Sequence, residues 1–279
     1  MWILFSVLAG TCFSLSSLVS RYVLRAQKDS WAFSFFYSVI GALVVLPLFI
    51  FKAKVSDEFG DWLILILVSF LIVFHNYLLF KATNFLEASV TGSVLKFRLV
   101  FVFVFAVILS NTDANLAKII GIIFAIISGV ILLSGIGKRF SRKGIILTLL
   151  STIVYASVVT IYSTLLESFN AISLTFFIFF IPGLINFVVI PDRVKRITKI
   201  ILEDKKGIIL ASVFGALANI FIIQAFDLGD ETSILLISEA FLIFTLLGEH
   251  IFLKEKEGLL KKILALIFAS LAALVFLAV

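Results

Sequence analysis

Apolar residues along this chain fall in long blocks, and the charged positions collect between them. Each block is close to the roughly 20 residues that carry a helix across a bilayer core of about 30 Å. The pattern predicts ten spans, at 2–20, 31–51, 62–80, 87–109, 116–136, 145–166, 171–190, 207–226, 231–253 and 260–279. Membrane β-barrel strands alternate apolar and polar residues. These blocks are apolar on every face. Hydrocarbon offers no water to exposed backbone groups, so helices remain. The expected fold is an all-α polytopic membrane protein. Of the connections, 191–206 is the longest, and it sets Val194, Ile197, Ile200 and Ile201 among basic residues. That spacing predicts a short amphipathic helix on the membrane surface. The first block follows Met1 without the basic start and small-residue cleavage site of a signal peptide, and is read as a retained span.

The pattern repeats. Shifted by 144, residues 87–133 lie on 231–277 without a gap. Glu87 meets Glu231, Ser89 meets Ser233, Phe97 meets Phe241, and Lys118 meets Lys262. The same shift sets His75 on Asn219. Apolar matches are cheap in such a composition; matched charges in one register are not. Two units are expected, 1–136 and 145–279. Each holds five spans, an odd number, so the two would enter the membrane in opposite senses, as inverted repeats do in secondary transporters.

Charge orients the spans. Loops after the odd-numbered spans hold 18 Lys and Arg, and those after the even-numbered spans hold 3. By the positive-inside rule the first set faces the cytoplasm, which puts both termini outside. The net charge of +6 belongs to these loops and is no footprint for nucleic acid. The expected location is the inner or plasma membrane, as a multi-pass protein. Composition agrees: 62% of the 279 residues are hydrophobic, 14% are charged, and the mean hydropathy is +1.23. Cys12, the single cysteine, forms neither an internal disulfide nor a metal cluster. With no Walker A loop, no Cys/His metal spacing and no serine nucleophile motif, neither an enzyme nor any cofactor is expected.

Ten helices in two inverted halves, together with "LLGEHIFLKE" at 246–255, resemble the EamA branch of the drug/metabolite transporter superfamily. The resemblance runs over essentially the whole chain. It implies a ten-helix carrier, with Glu249 in the family's late-Glu position of the second half. The first half has Phe105 at the equivalent place. Family members often carry a proline inside helices 4 and 9, where this chain has "KFR" and "EAF". Relatives tend to place both termini in the cytoplasm, against the loop count.

Three charges interrupt the apolar runs. "SVLKFRLVFVFVF" at 93–105 holds Lys96 and Arg98, and Glu239 lies near the middle of span 9. Charges in mid-membrane are costly unless paired or facing water. At about 100° per residue, Lys96 and Arg98 point about 200° apart, so both cannot centre on one cavity. The expectation is that Lys96 faces the cavity and, in the empty state, Glu239, while Arg98 meets neighbouring helices. A structural ion pair is the plainer reading of Lys96, and snorkelling that of Arg98. His75 and Asn76, with Asn219, form a second polar layer, either a titrating site or an interhelical hydrogen bond. Tyr37, Tyr155 and Tyr162 are either cavity lining or packing. "GIIFAIISG" at 121–129 offers a small-residue surface suited to a homodimer contact.

The function expected is secondary active transport of a small metabolite by alternating access. The candidate binding residues are Lys96, Arg98, Glu239, His75, Asn219 and Tyr155. Their cations favour a substrate with an anionic group, and a proton or solute gradient is the expected drive, with a proton as candidate coupling ion. The alternative is a membrane protein that translocates lipids or lipid-linked intermediates.

Overall fold

The computed structural model describes residues 1–25, 28–86, 88–110, 116–135 and 141–241, with isolated positions between 244 and 271. These residues form helices and no strand. In chain order they are α1 (Trp2–Leu24), α2 (Ser30–Lys52), α3 (Phe59–Thr83), α4 (Ala88–Leu95), α5 (Arg98–Ser110), α6 (Leu116–Gly135), α7 (Arg142–Ser168), α8 (Ala171–Val189), α9 (Arg193–Phe226) and α10 (Glu231–Ala240). Six of them, α1, α2, α3, α7, α8 and α9, are long and apolar enough to cross a membrane. Most of the tenth expected span lies outside the described residues.

Starts are set by side-chain caps. Asp29 accepts from the amides of Trp31 and Ala32, Ser141 from Gly144, and Asn170 from Ser173, each satisfying donors that a first turn leaves open. Partners are chosen across the two halves of the chain: α1 packs chiefly along α9, α3 along α7, and α2 along α8. The ends sort as the loop count requires. Lys28, Lys81 and Arg196, from loops after odd-numbered spans, line one pocket at one end. At the other end Asn170 donates to the Lys52 carbonyl at 2.6 Å, and the Lys54 amide donates to Ser173 Oγ at 3.0 Å.

One expected span is broken. The block 87–109 forms α4 and α5, separated at Lys96 and Phe97. The break is a tightened turn: the Phe97 amide donates to the Val94 carbonyl at 3.1 Å, and the Val100 amide to that of Phe97 at 3.1 Å. These are the i→i+3 bonds of a 3₁₀ turn. The end of α10 has the same pattern, Phe241 to Ser238 at 3.2 Å and Phe244 to Phe241 at 3.0 Å. Both breaks arise without proline. At the second, Ser14 of α1 donates to the Phe241 carbonyl at 2.8 Å, a second donor beside the Phe244 amide that ties α1 to the break.

The connection 191–206 forms a short helical segment, as its spacing predicts, set off by a kink from the span that follows. It runs into span 8 as one element, α9, bent at Asp204, whose φ of −156° and ψ of 61° leave the helical region. Asp204 Oδ1 accepts from the Gly207 amide at 3.1 Å and so recaps the spanning part. On the first segment Val194 and Leu202 are exposed, as suits a helix lying in the membrane interface. Arg196 reaches back to Asp29 with two guanidinium nitrogens. Burial alone would raise the Asp29 carboxyl. Arg196 and the amides of Ala32 and Trp31 outweigh it and hold the group below the usual carboxylate range. A depressed folded pKa means the contact stabilises above the unfolded value of about 3.9 and is lost as pH falls through the folded one. Both side chains are partly exposed, so Asp29→Asn is expected to cost at most about 1 kcal/mol at pH 7. The gap to wild type in thermal unfolding should close as pH falls below the ordinary carboxylate range.

Candidate functional site

The helices enclose a cavity of about 160 Å³ near the centre of the bundle. Its polar lining comes from most of the helices, Thr91 of α4 and Ser238 of α10 among them. α1 contributes Ser14, Ser16, Ser17 and Ser20, α3 contributes His75 and Asn76, α5 contributes Arg98, α7 contributes Tyr155 and Tyr162, and α9 contributes Asn219. Tyr37, Phe80 and Phe179 supply aromatic surface.

Arg98 opens α5 directly after the first break, and its guanidinium carbon sits 5.1 Å from the centroid of the Tyr155 ring. On the same ring lies His75, with centroids 4.7 Å apart. Three spans therefore converge on one stack of cation, phenol and imidazole. A cation over an aromatic face gains attraction that strengthens away from water. His75 is held from behind. Its Nδ1 lies 3.0 Å from the Ser151 carbonyl and 2.8 Å from the Ser151 hydroxyl. A carbonyl only accepts, so a proton on Nδ1 satisfies it and leaves Nε2 of the neutral ring as an acceptor. Asn219 spends its amide nitrogen on the Gly215 carbonyl, 2.9 Å away in its own helix. Tyr37 fits against Gly215 so closely that any Cβ there would meet its hydroxyl.

Lys96 stands elsewhere. It is 2% exposed, and its ammonium donates to Ser128 Oγ of α6 at 2.7 Å. The expected orientations are thus exchanged: the cavity takes Arg98, and Lys96 faces a neighbouring helix. The break between them decides this, since it resets the facing of everything after Phe97. Glu239 belongs to α10, but its side chain lies outside the described residues, so the expected Lys96–Glu239 contact lies outside them too. The adjacent Ser238 lines the cavity. Glu249 and His250 also lie outside the described residues.

Sequence reasoning singled out no serine. Yet "CFSLSSLVS" at 12–20 is dense in hydroxyls for a membrane span, and four of them line the cavity. Ser16 also donates to the Ala211 carbonyl at 2.8 Å, which ties α1 to α9.

A bundle of helices long and apolar enough to cross a membrane, with a polar, aromatic-walled cavity at its centre, has the architecture of a polytopic membrane protein. The model of the EamA-like transporter family matches residues 1–135 and again 142–278, and the chain belongs to that family. The family is one of transporters rather than enzymes. Among solved structures, one titled "Crystal structure of protein" is similar at 13% identity, over 97% of this chain and 95% of that one, with a TM-score of 0.66. At that identity the likeness concerns the fold alone. No curated protein matches the sequence.

Proposed function

We propose that the chain is a secondary active carrier of small organic anions, with Arg98 as the anion ligand. The observation that carries this reading is the central stack of Arg98 and His75 on Tyr155. A guanidinium fixed on a ring presents a planar fork of donors suited to a carboxylate or phosphate. The serines of α1 and Asn76 supply neutral hydrogen-bonding groups beside it, and the aromatic walls suit an apolar body. The carrier works in the inner or plasma membrane.

Alternating access follows from two inverted five-helix units, 1–136 and 145–279. Three observations support that repeat. The two breaks carry equivalent hydrogen bonds 144 residues apart. The pairing of helices is preserved when the halves are exchanged, α1·α9 becoming α7·α3 and α2·α8 mapping onto itself. The family model matches once in each half. Rocking one unit against the other opens the cavity to each side in turn.

The coupling ion in this reading is a proton, exchanged at Glu239 of α10. Purified protein is reconstituted in proteoliposomes and tested against a panel of labelled organic anions, with binding followed by thermal shift. Glu239→Gln is expected to abolish accumulation driven by a pH gradient while keeping counterflow exchange. Driven uptake at the wild-type rate moves the coupling role to His75. A panel in which no anion binds or moves removes the carrier reading of Arg98.

A further inference from the structure

A second, separate pair of features lies on the outer side of the bundle. One is a basic pocket of about 710 Å³ beneath the first segment of α9. Five basic and three acidic side chains line it, and the acidic Asp29 is already engaged by Arg196. Lys195 and Lys199 reach it from the α9 segment, and Lys81 from the end of α3. Trp31 stacks on Tyr77 at 4.1 Å and forms part of its wall. The other feature is an apolar groove of about 390 Å³ between α2 and α8.

The walls of the groove lead into the pocket on both helices. Along α2, Trp31 belongs to the pocket, and Phe35, one turn on, opens the groove that continues to Leu46. Along the other wall Phe187 belongs to the groove and Asp192 to the pocket. Phe35 and Phe187 meet at 5.8 Å, and the Arg193 guanidinium lies 4.7 Å over the Phe187 ring. The groove thus carries a cation at its basic end. From Phe35 to Leu46 it runs about 16 Å at 1.5 Å per residue, close to half of a bilayer core. Leu43 and Leu184 on its rim are exposed, as are Val194 and Leu202 above. Those four place the groove against lipid tails and the α9 segment at the depth of the headgroups.

We propose that pocket and groove together bind one anionic phospholipid. The phosphate lies among Lys81, Lys195 and Lys199, and one acyl chain follows the α2–α8 groove. A zwitterionic lipid fills the groove equally well, but its headgroup ammonium offsets the phosphate charge that draws the lysines. A free phosphate meets the lysines but gains nothing from the groove. Basic pockets at membrane-surface depth select anionic headgroups. This lipid is no transport substrate in the reading above, and it touches none of the central cavity.

The test uses the full-length protein, stripped of lipid in detergent and titrated with phosphatidylglycerol, phosphatidylcholine or inorganic phosphate. Bound lipid is counted by native mass spectrometry. Phosphatidylglycerol is expected to bind about tenfold more tightly than phosphatidylcholine. Lys195→Gln with Lys199→Gln removes that preference and leaves phosphatidylcholine binding unchanged. Gly183→Leu fills the groove and weakens both lipids alike; a Cβ at Gly183 meets Val39 at 3.4 Å and Ser38 at 3.6 Å, ordinary contact that lets the helix pair form. Unchanged melting temperatures without lipid show that each variant folds. Equal affinity for the two lipids overturns the proposal. So does a preference that survives the double substitution, lipid binding indifferent to Gly183→Leu, or inorganic phosphate that competes as well as the anionic lipid.

Discussion

Arg98→Met is expected to weaken binding of the proposed anion strongly while leaving a folded protein, and Lys96→Met to lower stability while leaving binding nearly intact. Arg98 lines the central cavity against Tyr155, so its guanidinium is placed to meet a ligand. Loss of charge-assisted hydrogen bonds to an anion costs about 2–3 kcal/mol, roughly 30- to 150-fold in affinity. Lys96 is buried on Ser128 and meets no ligand there. Replacing it by the similar stem of methionine removes its charged hydrogen bond to Ser128, about 1.5–3 kcal/mol of stability, with affinity within about twofold of wild type. Ser128→Ala alone should be as damaging or worse, because it takes a hydroxyl acceptor from a buried ammonium. Lys96→Met combined with Ser128→Ala should recover part of that loss, the non-additivity expected of side chains in contact. Melting curves with and without the anion separate the effects. Weakened binding in Lys96→Met with normal binding in Arg98→Met would return the anion site to Lys96.

Gly10→Val should be the most damaging packing change in the first helix. A Cβ at Gly10 would run into the backbone carbonyl of Ser238 and lie 2.9 Å from Phe241 Cβ. Backbone cannot swing aside as a side chain can. Overpacking of that kind costs about 3 kcal/mol. The contact joins α1 to the broken end of α10, where Ser14 donates to Phe241, so transport should fall with stability. Gly60→Val is the control, because nothing lies within 4 Å of a Cβ placed there. Matching losses in melting temperature at the two positions would remove the close approach as the cause.

Much of the helical pattern is legible from hydropathy alone, because a span must be apolar over a length the bilayer dictates. The interruption at Lys96–Phe97 is not. "KFR" contains no glycine or proline, and the local composition reads as continuous helix. For the same reason the sequence separates Lys96 from Arg98 by about 200° without saying which faces the cavity. That choice depends on where Ser128 and Tyr155 arrive, 32 and 57 residues further along. The bend at Asp204 is hidden as well, since an aspartate in a charged loop gives no sign that it will cap the following helix. The serines of α1 are the opposite case. Their density is visible, and only the habit of treating serine as neutral filler in membrane helices hides it.

Both interrupted helices keep their amides. A proline break is permanent, because the ring has no N–H to return to the ladder. Phe97 and Phe241 each have one, now spent on the carbonyl three residues back. Shifting that bond to the carbonyl four residues back re-forms an α-turn and breaks no covalent geometry. Each joint is therefore a zipper that can close by one bond and open again. The hydroxyl of Ser14 acts as a latch on the Phe241 carbonyl. The alternating-access carrier proposed above would store its two shapes in which carbonyl each amide prefers.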